Sequence, residues 1–227
     1  MQPEREDSQS FPIDDVFRKL RLATRELPRA AMFDLRDRGH ASPFEQLVGS
    51  LISARTRDET TMEICLRLFK TARTPEQMVA IGERPLAAIL HGASFPEPKA
   101  RDLIAISRRL IEDFHSEVPE NFDRLTSFRG VGPKIAALTL AVGFEHPMIA
   151  VDVHVHRITN RWGYVQTRTP EQTMKALEAK LPRKYWIEIN ERLVPFGRFI
   201  CTGRIPPKCS TCVLSKVCRR VGVTRSR

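Results

Sequence analysis

Apolar residues recur along most of the chain at intervals of three and four, the spacing of helices that bury one face. In "SPFEQLVGSLISA" (42–54), Phe44, Leu47, Val48, Leu51 and Ile52 fall at i, i+3, i+4, i+7 and i+8. Ser42 stands as N-cap, Pro43 at the first helical position and Glu45 at the third, which predicts a capping box. "TPEQ" at 74–77 and 169–172 repeats that start signal. These repeats punctuate helices and do not mark a duplicated domain. Further helices run through Met62, Cys65, Leu66 and Phe69, through "RPLAAILHG" ended by Gly92, and through Leu103, Ile106, Leu110, Ile111 and Phe114. "NFDRLTSF", "PKIAALTLAVG", "EQTMKALEAKL" and "YWIEINERLVPFGRFI" complete the series.

One stretch resists this reading. "MIAVDVHVHRI" (148–158) fits alternation and helical period about equally. No run of strands exists to form a sheet, so the expected fold class is all-α with short loops. Proline-rich irregular segments are expected at 93–98 and 205–207. In the first, Phe95 either folds back on the core or stays exposed.

The 227 residues suit one large or two small domains. No apolar run approaches a membrane span. The polar opening "MQPEREDSQSFPIDD" reads as a frayed tail and not as a signal peptide, so a soluble intracellular protein is expected. The net charge of +10 is uneven: residues 181–227 carry eleven Lys and Arg against two Glu. A positive field at one end suits a polyanion such as nucleic acid, or a solvated basic tail. Of five cysteines, Cys65 lies on an apolar helical stripe and reads as a small buried hydrophobe. Cys201, Cys209, Cys212 and Cys218 crowd into 18 residues as C-x7-C-x2-C-x5-C. Four thiolates so close suit an iron–sulfur cluster or tetrahedral zinc, and spacing alone does not choose.

"SFRGVGPKIAALTL" (127–140) joins two helices through Gly130-Val131-Gly132. The glycines allow backbone shapes that side chains forbid, and Val131 can point inward. Bare N–H groups at the next helix start form a phosphate seat that reads no base. Lys134 stands in that first turn, where the helix dipole disfavours an ammonium. A lysine that spends time as the free amine can form a Schiff base with a sugar aldehyde; a phosphate-pairing or solvated lysine is the plain alternative. Asp152 interrupts an apolar run and needs a role. It could cap a helix, ligate a metal with His154 and His156, or stabilise a cationic sugar and deprotonate an amine.

"GVGPKIA", "IAVDVHVHRI" and the C-terminal cysteines, in this order and spacing, resemble the endonuclease III family of helix-hairpin-helix DNA glycosylases. The resemblance implies two helical domains with a DNA cleft between them: a six-helix barrel with the hairpin at 37–146, and an iron–sulfur domain of 147–227 joined by the tail and helix of 1–36. It places Lys134 and Asp152 on the catalytic lysine and aspartate, with His154 and Arg157 as supporting positions. It implies that Gly130, Val131 and Gly132 grip the DNA backbone. It also implies a 4Fe-4S cluster on the four cysteines, shaping a basic loop around Arg204 and Lys208. The implied partner is double-stranded DNA with damaged bases or abasic sites, bound by a monomer, with no membrane and no catalytic metal. The implied activity is a bifunctional glycosylase and AP lyase excising oxidised pyrimidines in base excision repair. The alternatives are a related glycosylase for mismatched uracil or thymine or for alkylated bases, and a non-catalytic damage-binding module.

Four departures from the family pattern bear on this. Phe128-Arg129 precede the hairpin where Leu-Pro is usual, and Arg129 could add a phosphate contact. Arg55 takes the place of a gap-filling glutamine. The second wedge loop is "GASFPEPKA", so Ala93, Ser94 or Phe95 could form its tip. The first cysteine gap is one residue longer than usual, with two prolines in "TGRIPPK" to absorb it.

Overall fold

Twelve α-helices follow one another in the computed structural model, which describes residues 11–227, and no strand occurs among the described residues. They are α1 (Ile13–Thr24), α2 (Ala31–Asp37), α3 (Pro43–Ser53), α4 (Asp58–Leu68), α5 (Pro75–Ile81), α6 (Glu83–Ile89), α7 (Pro96–Phe114), α8 (Phe122–Thr126), α9 (Pro133–Gly143), α10 (Val153–Trp162), α11 (Pro170–Lys180) and α12 (Glu188–Phe199). The frayed tail falls partly on residues 1–10, outside the described residues. Its last part is corrected: Ile13, Asp14 and Asp15 open α1, whose Val16, Phe17 and Leu20 are buried. No helix among the described residues is long and apolar enough to cross a membrane.

Local chemistry sets the helix starts. Ser42 and Glu45 form the reciprocal capping box of α3. Thr74 and Thr169 cap α5 and α11 by accepting from Gln77 N and Gln172 N. The ambiguous stretch resolves as coil to residue 152 and then helix α10, which buries Val155, Ile158, Thr159 and Trp162. The segment 93–98 is less irregular than expected. Pro96 and Pro98 lie in the first turn of α7, where a missing N–H costs nothing.

The helices bury two separate apolar cores. The first holds Phe33, Leu47, Ile52, Leu68, Leu110 and Leu140; the second holds Phe17, Ile158, Trp162, Leu177, Leu193 and Phe196. Cys65 is fully buried in the first, and burial pushes its thiol up to about 12. Ala30, Ala31, Met32, Phe33 and Leu35, expected with the second unit, pack into the first core because α2 lays Met32 and Leu35 against α3 at Gly49. α1 packs against α12, where Arg21 forms a two-pronged pair with Glu188, and against the turn before it, where Phe17 stacks on Tyr185 at 3.8 Å. Ala150 and Val194, which flank the second core in sequence, are buried in the first. The seam between the cores therefore runs beside Asp152 and along α12.

Candidate active site and nucleic-acid interface

The hairpin is α8, a tight turn and α9. Val131 is buried, and Phe128 packs edge-on against Phe114. Gly130 has φ +81, and a Cβ there would stand 2.9 Å from Asp102 Oδ2, so the position needs glycine on two counts. Gly132 differs from expectation: its φ of −89 is open to any residue. Nothing lies within 4 Å of a Cβ built there, so the outer face of the turn is open. α9 begins without a side-chain cap and without an acid in its first turn. Its first N–H groups are free to meet an anion. Arg129, exposed beside them, pairs with Asp102 through Nε at 3.0 Å.

Lys134 is the second residue of α9, and Asp152 is the N-cap of α10. Asp152 Oδ1 accepts from both His154 N and Val155 N at 2.9 Å. Capping thus occupies one oxygen and leaves the other free. Lys134 and Asp152 line one small pocket of about 30 Å³ at the seam, with Ser53, Asp58, Leu138 and Asn190. Asn190 is itself fixed by donating to Ala150 O at 3.1 Å.

Asp58 is the pocket residue that sequence reasoning missed. Burial pushes its carboxyl above the ordinary range, the charge on Asp152 adds to this, and Arg198 and Lys134 oppose it. Arg198 Nη1 lies 3.2 Å from Asp58 Oδ2, and the same guanidinium also pairs with Glu59. These partners stand 140 residues apart, which no local pattern signals.

Asp58 also lines a larger cleft of about 750 Å³, together with Arg55, Arg57, His154, Arg198 and Arg204. Burial pushes the His154 imidazole below its usual value. His154 Nδ1 faces Arg157 Nη2 at 3.1 Å. An arginine only donates, so Nδ1 accepts and the neutral ring carries its proton on Nε2. Arg157 also donates to Gly197 O and Cys201 O, tying α10 to the cysteine loop. The metal reading of Asp152, His154 and His156 is not supported, because His156 turns away to Thr173 Oγ1 at 2.6 Å.

The two expected wedge segments lie side by side, and Arg55 and Thr56 of the first line this cleft. Ser94 Oγ donates to Arg55 O at 2.7 Å, and Ser94 N donates to Thr56 Oγ1 at 3.1 Å. Phe95 stays out of the core, 57% exposed, with the Arg55 guanidinium over its ring at 5.9 Å. Ala93 is buried and forms no tip.

Cys201, Cys209, Cys212 and Cys218 are all free thiols. They line one cavity of about 20 Å³ with Trp162, Phe196 and Leu214. Burial raises the Cys212 and Cys218 thiols, and the neighbouring sulfurs raise them further. Arg161 Nη1 donates to Cys201 Sγ at 3.3 Å, and Arg220 N to Cys218 Sγ at 3.4 Å. Among the described residues no three His, Cys, Asp or Glu side chains converge on one ion position. Arg204 and Lys208 are exposed on the same loop, with Arg204 facing the cleft.

Comparison with known proteins agrees with this geometry. Residues 48–183 match the HhH-GPD superfamily of base excision DNA repair proteins. Endonuclease III of Thermotoga maritima is 40% identical over 183 residues, covering 81% of this chain and 85% of its own. Endonuclease III of Treponema pallidum is 37% identical over 175 residues, covering 77% of this chain and 82% of its own. A trapped endonuclease III–DNA covalent intermediate superposes with a TM-score of 0.80 at 28% identity, covering 92% of this chain and 94% of that one. A non-covalent endonuclease III–DNA complex gives 0.81 at the same identity and coverage. The all-helical architecture, with one core on each side of the pocket, is thus that of a known group of repair proteins, and the chain belongs to the endonuclease III family within the HhH-GPD superfamily.

Proposed function

We propose that the protein is a bifunctional DNA glycosylase and AP lyase that removes oxidised pyrimidines from duplex DNA, acting as a monomer. The observation that carries this reading is the shared pocket of Lys134 and Asp152, which has Asp58 in common with the cleft rimmed by arginines. The pocket is far smaller than a nucleobase, whereas the cleft is roomy enough for one. An everted base in the cleft puts its deoxyribose at the pocket mouth.

The free amine of Lys134 attacks C1′ and the glycosidic bond breaks. The base leaves with that electron pair and takes up a proton. The uncapped oxygen of Asp152 faces the developing sugar cation and accepts the proton that the attacking amine sheds. Ring opening gives a protonated imine between Lys134 Nζ and C1′. Loss of a C2′ proton then expels the 3′ phosphate and nicks the strand. The open N–H groups around Gly132 hold a backbone phosphate, and Arg129, Arg204 and Lys208 add charge along the DNA.

The four cysteines fit a 4Fe-4S cluster. They are free, they share one cavity with an apolar wall, and two of the sulfurs already accept hydrogen bonds. Cys201, Cys209, Cys212 and Cys218 would hold it, and it would fix the shape of the loop that carries Arg204 and Lys208. The test is a panel of duplexes, each with one lesion, scored separately for base release and strand nicking, alongside iron and sulfide analysis. Thymine glycol should be released and the strand nicked. Release of mismatched thymine or alkylated bases without nicking would overturn the reading.

A further inference from the structure

Lys99 is a buried cation outside the pocket. It stands in the first turn of α7, is 6% exposed, and has no carboxylate partner among the described residues. All three of its protons are placed: Nζ donates to Ile52 O at 2.6 Å, to Ala54 O at 2.8 Å and to Thr56 Oγ1 at 2.9 Å. The two carbonyls belong to the end of α3, where the helix dipole is negative and favours a cation. Even so, burial pushes the ammonium down to about 8, so holding a charge there is costly. The nearby Cys65 thiol stays neutral and offers no counter-charge.

The contact chain continues beyond Lys99. Thr56 Oγ1 also accepts from Ser94 N, and Ser94 Oγ donates to Arg55 O. Two segments some forty positions apart, 54–57 and 93–95, are thereby joined to the end of α3. At the top of this assembly stand Arg55 at φ +59 and Phe95 at φ +57. Left-handed backbone is costly for a residue with a side chain. Such strain persists where surrounding contacts over-determine it, and here those contacts converge on Lys99.

We propose that Lys99 is a positioning residue for base extrusion: it clamps the two segments so that Arg55 and Phe95 stand as one rigid wedge at the rim of the cleft. The proposal rests on the glycosylase reading above. A clamp of this kind matters only while a base must be pulled out of its stack. A residue that merely supports the fold would matter equally for every substrate.

The test measures single-turnover release of thymine glycol from two DNAs. In one, the lesion sits in a fully paired duplex. In the other it sits in a non-complementary bubble, where unstacking is already done. Wild type is compared with Lys99→Met, which keeps the stem but removes all three donors, and with Thr56→Val, which removes the hydroxyl that accepts from both Lys99 and Ser94 and leaves the two carbonyl contacts of Lys99 in place. The expected result is a loss of about tenfold or more on the paired duplex for Lys99→Met, with bubble rates within about twofold of wild type. Thr56→Val should shift the ratio of the two rates in the same direction. If Lys99→Met does not fold, Thr56→Val decides the question alone. Equal losses on both DNAs, or an unchanged ratio, overturn the clamp while leaving the glycosylase reading intact. A wild-type protein that releases no base from either DNA overturns that reading and the clamp with it.

Discussion

Replacing Asp152 separates its two jobs, because the two oxygens do different things. Oδ1 caps α10 by accepting from His154 N and Val155 N. Asp152→Asn keeps an acceptor in place and loses only the favourable interaction of a charge with the helix dipole, about 0.3–1 kcal/mol. Asp152→Ala loses the cap as well, about 1–2 kcal/mol. For a chain of 227 residues each kcal/mol moves Tm by roughly 2–4 °C. Asn should therefore lower Tm by about 1–4 °C and Ala by about 3–12 °C. The chemistry should follow another order. Both substitutions remove the carboxylate that shares the pocket with Lys134, and loss of such a group slows proton transfer by about 10²–10⁴. Both variants should then release base at least a hundredfold more slowly than wild type in a single-turnover assay, while binding lesion DNA within about threefold in fluorescence anisotropy. An Asn variant that keeps turnover within tenfold refutes the assigned chemistry. Equal destabilisation by Asn and Ala refutes the cap.

The hairpin glycines should behave differently from each other. Gly130→Ala forces φ +81 on a side chain and drives its Cβ towards Asp102, so it should cost about 2 kcal/mol in urea unfolding and weaken binding to damaged and intact DNA alike. Gly132→Ala should cost only about 0.5–1 kcal/mol, the difference between Gly and Ala at an N-cap, yet still weaken binding, because its methyl stands where the phosphate would sit; unchanged binding would remove the phosphate from that face. The buried Glu45 should give an acid-sensitive contribution. Burial raises its carboxyl, but Arg73 at 2.7 Å, His40 and Ser42 outweigh this and hold it below its ordinary 4.5. Its stabilisation is thus complete above that value and lost as pH falls through the lowered one. Glu45→Gln should cost about 2 kcal/mol at neutral pH, less than a fully buried pair because Arg73 is half-exposed, and the difference should vanish in strong acid. A gap that persists there would contradict the pairing.

Features decided within a few residues were legible in the sequence. The caps at Ser42, Thr74 and Thr169 and the buried Val131 depend on nearest neighbours, and they stand where the pattern put them. The reading of 148–158 stayed open because Val151, Val153 and Val155 alternate. Only the cap at Asp152 starts a helix there and leaves Val153 64% exposed. α1 was obscured by its acidic opening, although Val16, Phe17 and Leu20 share one face. Asp58 and Lys99 were out of reach for another reason. Each looks like an ordinary charge in the first turn of a helix, and each is covered, Lys99 fully and Asp58 in part, by a segment far away in the chain. Arg198 and the end of α3 give them their roles, and contacts that distant leave no periodic trace.

The central claim is that the Lys134 amine joins covalently to the sugar at the seam pocket. Borohydride reduction during reaction with abasic-site DNA, followed by peptide mapping, tests it most directly. One stable protein–DNA adduct is expected, carried on Lys134 and missing from Lys134→Ala. An adduct that survives Lys134→Ala, or wild-type protein that binds the DNA and forms none, would contradict it.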